Sequence, residues 1–436
     1  MNQKSKRFCF PKAVIYSGAI AATAALSLLV PNSPVKAELE QSPKAVLDEA
    51  WQIVNREYVD STFNHIDWQA TRQELLSQEY SSAEQAYTAL RQALEGLNDP
   101  YTRFLEPEQF QALTRQTSGE MTGVGMQLSQ DRETRVIAVV DTLEDSPAMK
   151  AGLKPGDRIV AINGEPTDAM SVSQAAELIR GEIGTQVSLR VARLGLEEFD
   201  VTLTRALIEL KAVQHRLQQE GNKQVGYIRL QEFSSHAGEQ MEKAIKELEK
   251  QGADAFVLDL RGNPGGLLRV SIDIARMWMD KGAIVSTVDR HGFSEEVRAT
   301  RSAVTDKPLV VLVNDDSASA SEILAGALKD NRRAVVMGEK TFGKALVQSV
   351  HSLSDGSGLA VTIAHYYTPN GTDISKKGVT PDIMVSLTED EKRQMTIEPE
   401  AIGTISDPLY NRAIGLLKNE SLMRSMVLEH STQAGN

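Results

Sequence analysis

The 436-residue chain contains a single cysteine, Cys9, so intrachain disulfides are unavailable and cysteine chemistry has almost nowhere to stand. Its seven histidines, at 65, 215, 236, 291, 351, 365 and 430, show no metal-ligand spacing such as His-Glu-x-x-His. Aromatic residues make up only 5%, and no basic run or aromatic-basic patch occurs. With a net charge of −12, that argues against nucleic acid as the main partner. No internal repeat or low-complexity segment is evident. What remains is ordinary for globular protein, with 41% hydrophobic and 24% charged residues. The length suggests two or three domains, each able to bury a core.

The first 37 residues stand apart. Lys4, Lys6, Arg7 and Lys12 precede a charge-free apolar run, Ala13 to Val30, which Pro31 and Pro34 break. Val35-Lys36-Ala37 fits a small-x-small cleavage rule, so 1–37 reads as a secretory signal peptide cut before Glu38. The alternative is an uncleaved membrane anchor, since the run is nearly long enough to span. Cleavage would remove Cys9 and leave a mature chain without a thiol.

Residues 38–118 read as helical. Ser42-Pro43 is a helix start, and Val46, Leu47, Ala50, Trp51, Val54 and Tyr58 recur at helical spacing. Ser81-Ser82-Ala83-Glu84 opens a second helix carrying Tyr87, Leu90 and Leu94. Residues 119–205 change to short strands with hairpin turns, notably Asn163-Gly164. From 206 to 436 strands and helices alternate, which predicts an α/β core. Asp407–Lys418 reads as a helix expected to pack back on the N-terminal helices.

Within the small β domain, Leu153-Lys154-Pro155-Gly156-Asp157-Arg158-Ile159 followed by Ile162-Asn163-Gly164-Glu165-Pro166 closely resembles a PDZ domain. Such a domain adds a peptide as an extra strand and holds its terminal carboxylate on exposed N–H groups. Gly123-Val124-Gly125, running into Met126, is the candidate carboxylate turn. The blander reading is that these glycines only shape a hairpin.

The most specific chemistry lies near the C-terminal third. Asp316-Ser317-Ala318-Ser319-Ala320-Ser321-Glu322 precedes Ile323, Leu324, Ala327 and Leu328 at helical spacing. Ser319 could be an ordinary helix cap. Three alternating serines are harder to explain that way, and the N–H of Ala320 could face a developing oxyanion. Lys344 lies between Gly343 and Ala345, with Phe342 and Val347 nearby, a setting compatible with burial. Burial would lower its pKa and make a neutral amine available to take the Ser319 proton. Arg261-Gly262-Asn263-Pro264-Gly265-Gly266 reads as a phosphate-cradling loop, a bare turn, or a source of oxyanion-binding N–H groups at Gly265 or Gly266. Gly338 to Lys344 also fits phosphate-loop spacing, but Ala345 stands where Ser or Thr should hold magnesium. A Ser-His-Asp triad stays open, because its members need not be close in sequence.

Together these residues resemble the carboxyl-terminal processing peptidases, or tail-specific proteases, a serine/lysine family. The likeness runs from Asp99-Pro100-Tyr101-Thr102 to Gly378-Val379-Thr380-Pro381-Asp382 and is most specific over Ser317–Asp330 and Thr341–Gln348. It implies Ser319 as nucleophile, Lys344 as general base and Gln348 as a residue positioning the lysine. It also implies structural support from Asp330, and an oxyanion hole from Ala320 with Gly265 or Gly266. No metal or cofactor is implied. The implied fold is multidomain, α/β and α+β: a crotonase-like or Clp-like α/β protease core with an inserted PDZ domain and an N-terminal helical region. The implied partners are proteins or peptides with free C-termini. Ala45–Asp60 resembles the photosynthetic branch, whose members act in the periplasm or thylakoid lumen and trim a photosystem II reaction-centre precursor. One departure is Ala345, where the family usually has glycine. A second reading is therefore a PDZ scaffold on an inactive protease-like body.

Overall fold

The computed structural model describes residues 42–131 and 134–428. The expected signal peptide, 1–37, lies outside them.

Helices Pro43–Glu57 and Ala83–Glu95 form where the apolar spacing places them. A third helix, Trp68–Ser77, was not legible; the Asp67 side chain caps it by accepting the N–H groups of Gln69 and Ala70. Leu47, Trp51, Trp68, Leu90 and Leu94 pack into one core. That core is completed by Leu359 and Val361 of strand Gly358–Tyr367 and by Leu353, just past its antiparallel partner Leu346–Ser352. The short strand Arg103–Leu105 also joins Gly358–Tyr367, with Arg103 opposite Ala360. The N-terminal helices and the last long strands therefore share one apolar interior, which brings the Asp99–Arg103 turn beside the lysine segment.

The 119–205 region folds as an antiparallel sheet in which strand Met126–Gln130 is an edge. Its core is Ile137, Ile159, Ile162, Leu189, Val191 and Ala175, the last from helix Val172–Ile179. A two-stranded ribbon, Glu120–Gly123 with Ala206–Glu209, joins it to the rest.

The α/β part is a six-stranded sheet in the order Val213–Glu220, Lys223–Leu230, Ala255–Asp259, Leu309–Val313, Val335–Gly338 and Ile383–Met384. Only the first pair is antiparallel. Strands Ala255–Asp259 and Leu309–Val313 are buried at every position, as a sheet covered on both faces requires. Phe256, Leu258, Val311 and Val313 face helices Ala237–Lys250, Leu268–Trp278 and Ala320–Asp330. Val225, Val257, Val310 and Leu312 face the other way, against Leu409, Tyr410, Ala413 and Ile414 of helix Pro408–Lys418. That last contact corrects the expectation for Asp407–Lys418. The helix is present, but its apolar stripe covers the open face of the parallel sheet rather than the N-terminal helices.

A buried ionic knot pins it there. The Arg261 guanidinium reaches Asp259 at 2.6 Å and Asp407 at 2.5 Å, and both carboxylates are fully buried. Burial alone would raise the Asp259 carboxyl, but Arg261 outweighs it and holds the group below its usual range. Asp407 also caps the helix through the N–H groups of Leu409 and Tyr410. Asp407→Ala leaves Arg261 half paired and the cap empty, so a loss of about 3–5 kcal/mol is expected in urea unfolding.

Candidate active site

Three loops leave the carboxyl ends of adjacent parallel strands, where open α/β sheets characteristically bind ligands. Arg261–Gly266 follows Ala255–Asp259, Asn314–Ser319 follows Leu309–Val313, and Glu339–Lys344 follows Val335–Gly338. They converge on a cavity of about 490 Å³ whose lining includes Ser319, Ala320, Lys344, Gln348, Gly265 and Gly266.

Ser319 is not an ordinary cap. Its backbone lies at φ 55°, ψ −111°, whereas a capping serine sits in the β region. Such strain in a non-glycine residue persists only where the surroundings impose it. The neighbouring serines do the imposing. Ser317 Oγ donates to the Leu260 carbonyl at 2.9 Å, and Ser321 Oγ to the Asn263 carbonyl at 2.9 Å. Both are fully buried, while Ser319 between them reaches the cavity. The alternation thus has a physical reading: two serines rivet the turn to the 260–263 loop and the middle one is presented.

The same loop discriminates between the glycines. The Gly265 N–H is already spent on Asn263 Oδ1, at 2.9 Å. The N–H groups of Gly266 and Ala320 find no acceptor among the described residues. Of the three expected oxyanion donors, then, Gly266 and Ala320 have N–H groups to offer. Gly265 serves by lacking a side chain: a Cβ there would lie 2.9 Å from Ser319 Cβ and 2.8 Å from the Ala318 carbonyl oxygen.

Lys344 is partly buried, and its Nζ lies 4.6 Å from the centre of the Tyr101 ring. It forms no ion pair among the described residues. Burial pushes its pKa down and the Arg103 charge pushes it further, against weaker opposing pulls from Asp99 and Glu322. The departure at Ala345 strains no backbone, because the left-handed residue of this turn lies two positions earlier, at Gly343 with φ 95°. Gln348 reaches the cavity with its Nε2 buried and without a hydrogen-bond partner among the described residues.

Two residues tie the serine loop to the lysine loop. The buried Glu322 carboxylate accepts four hydrogen bonds. Oε2 takes the N–H groups of Ser319 at 2.8 Å and Lys344 at 2.9 Å. Oε1 takes the Thr341 hydroxyl at 2.6 Å and the Gly343 N–H at 2.7 Å. Tyr366, also buried, directs its hydroxyl at the carbonyls of Ser319 and Lys344. Asp330 lies outside the cavity lining; it holds the turn after strand Gly358–Tyr367, accepting from Thr368 Oγ1 at 2.6 Å and Asn370 N–H at 3.1 Å.

The rival readings lose their footing. The N–H groups of Gly343 and Lys344, which a phosphate loop would need, point at a carboxylate, and a strand rather than a helix follows. A Ser349–His351–Glu57 cluster exists, but His351 Nε2 contacts both Ser349 Oγ and Glu57 Oε2. A relay needs the two ring nitrogens to serve separate partners.

Peptidase family S41 matches residues 224–385, and a PDZ domain matches residues 139–193. A carboxyl-terminal-processing protease of Synechocystis sp. is 43% identical over 419 residues, covering 96% of this chain and 95% of its own. The chain belongs to the carboxyl-terminal-processing protease family. The chloroplastic carboxyl-terminal-processing peptidase 2 of Arabidopsis thaliana is 41% identical, over 82% of this chain and 71% of its own. A solved photosystem II D1 C-terminal processing protease is 39% identical, with a TM-score of 0.50 over 79% of this chain and 93% of its own. Like its family, this protein is an exported serine-type endopeptidase whose PDZ domain recognises substrates with free C-termini. Its multidomain α/β architecture is that of the family.

In this C-terminal-processing protease the expected carboxylate turn sits at the start of the sheet edge. Gly123 pairs with Ala206 in the connecting ribbon. The Val124 and Gly125 carbonyls are taken by Ala148 and Leu143, while the N–H groups of both residues have no acceptor among the described residues. Met126 then begins the edge strand, whose outer side has no strand neighbour among the described residues. Sequence reasoning missed Tyr101, Arg103, Glu322 as a bridge, and Tyr366. Only the Ser-x-x-Glu spacing offered a signal, and it reads equally well as a capping box.

Proposed function

We propose that Ser319 attacks the substrate carbonyl while Lys344, in its neutral form, takes the hydroxyl proton. The new Oγ–carbon bond puts negative charge on the carbonyl oxygen, which the Gly266 and Ala320 N–H groups stabilise. Collapse breaks the carbon–nitrogen bond, and the lysine returns its proton to the departing amine. Water then repeats the sequence and frees the serine. Gln348 positions the lysine amine, and Asp330 supports the site from outside the cavity. Gly123, Val124, Gly125 and Met126 hold the substrate's terminal carboxylate. The observation that carries this reading is one cavity lined by a strained serine and an unpaired lysine of lowered pKa.

The division into 38–118, 119–205 and 206–436 is our reading, as is the crotonase- or Clp-like character of the core. The parallel sheet with helices on both faces supports the latter. We also infer cleavage of the leader before Glu38 and action in the periplasm or thylakoid lumen. By likeness to the photosystem II D1 processing protease, the substrate is a photosystem II reaction-centre precursor with a C-terminal extension. The test compares one peptide with a free and an amidated C-terminus. Wild type should cleave the free form faster and Ser319→Ala should cleave neither. Turnover by Ser319→Ala would reject the nucleophile, and equal rates on both ends would reject carboxylate reading.

A further inference from the structure

The catalytic cavity holds a second cation that the proposed chemistry does not use. Arg103, from the short strand after the Asp99–Thr102 turn, lines the cavity together with Lys344. Its guanidinium has no hydrogen-bond or ion-pair partner among the described residues. Arg103 is exposed and also borders a neighbouring cavity with Glu95 and Asp99. Asp99 accepts the Tyr101 N–H at 3.0 Å and the Thr102 hydroxyl at 2.7 Å. Glu322 is saturated by its four donors. Glu232, the acid of the lining, adjoins Phe233, whose N–H donates to the Gly265 carbonyl on the oxyanion side. The tyrosines of the lining, Tyr101 and Tyr366, are both raised by burial and stay neutral. The cavity is thus polarised, positive on the lysine wall and acidic beside the glycine loop.

We propose that Arg103 is a specificity residue that grips a carboxylate of the substrate, placed on the leaving-group side of the scissile bond. This rests on the serine–lysine reading. In that chemistry the departing amine must lie beside Lys344, so the chain beyond it runs along the wall that carries Arg103. A guanidinium is suited to a planar carboxylate, which it can take with two parallel hydrogen bonds. The carboxylate is either an acidic side chain or the terminus of a short leaving segment. Occupancy has a second effect. In the free enzyme burial, with the Arg103 charge adding to it, holds the lysine amine low. A bound carboxylate offsets that charge and makes the amine a stronger base once substrate is in place.

The experiment uses the full chain and four peptides that differ only beyond the scissile bond. One has glutamate there with an amidated end, and one has glutamine with an amidated end. A third has glutamine with a free terminus close to the bond, and the fourth has glutamine with a free terminus far from it. Wild type should favour the glutamate peptide over its glutamine partner by about tenfold in kcat/KM. Arg103→Gln should abolish that ratio and Arg103→Lys should keep part of it. Preference for the close over the far free terminus, lost in Arg103→Gln, would assign the carboxylate to the chain end instead. For carboxylate-bearing peptides only, the rising pH limb of kcat should lie at higher pH than that of kcat/KM. A ratio unchanged by Arg103→Gln, for side chain and terminus alike, overturns the proposal. Binding of the same peptides to Ser319→Ala and Ser319→Ala/Arg103→Gln, read by fluorescence anisotropy, keeps the two readings apart. Cleavage by Ser319→Ala would sink the dyad, whereas equal binding ratios would sink Arg103 alone.

Discussion

Lys344→Ala is expected to lower kcat by about 10²–10⁴, the usual range for a lost general base. Lys344→Arg is expected to be no better. The pair of variants separates two roles that a cleft lysine could have. A lysine that only attracts a negatively charged substrate would be replaced well by arginine, which keeps the charge. A lysine that accepts a proton would not, because guanidinium stays protonated at any usable pH. The setting of Lys344 favours the second role. Burial and Arg103 both push its pKa down, and the opposing pulls of Asp99 and Glu322 are weaker. The sign follows directly. Protonated amine is inactive, so kcat/KM should rise with pH and level off above the lysine's own pKa, which lies below the ordinary value of about 10.4. Arg103→Gln removes one depressing charge, so the same limb should move to higher pH. A pH–rate profile on a neutral peptide reads both effects. A rising limb at ordinary lysine pH, or full activity in Lys344→Arg, would contradict the base assignment.

Much of this site was legible because its chemistry is concentrated in short segments. The serine triplet and the Gly343-Lys344 turn each follow one of two neighbouring strands, and hydrophobic spacing alone put a helix after Ser319. What stayed hidden depends on side chains from distant segments meeting in space. Tyr101 and Arg103 reach the lysine only because Arg103–Leu105 pairs with Gly358–Tyr367, a register no local pattern encodes. The choice between Gly265 and Gly266 turns on which N–H the Asn263 side chain captures. Helix Pro408–Lys418 shows the same limit at the level of packing. Leu409, Ala413 and Ile414 mark an apolar stripe, but a stripe fits any apolar surface. The ionic contact of Asp407 with Arg261 is what selects the sheet face.

Glu322→Gln should be nearly as damaging as loss of the lysine, although Glu322 is outside the cavity lining and takes no part in proton transfer. A carboxylate can accept at both oxygens, and Glu322 does so four times. An amide of the same shape keeps one accepting oxygen and turns an NH₂ group toward two donors. If the amide oxygen faces Thr341 and Gly343, its NH₂ meets the N–H groups of Ser319 and Lys344. If it flips, the Thr341 hydroxyl can rotate away but the Gly343 N–H cannot. In either orientation buried donors lose their partner, at about 1–3 kcal/mol each. In the first orientation the strained Ser319 backbone loses one of the bonds that hold it at φ 55°. Relaxation of that turn moves the hydroxyl relative to the amine, and a displacement of about 1 Å is enough to cost about a hundredfold. The loss should appear in kcat with KM little changed, because the groups that hold the peptide are elsewhere. Glu322→Asp is the sharper control. It restores the charge but is one methylene short of spanning both loops, so a simple electrostatic role predicts rescue and a bridging role predicts none.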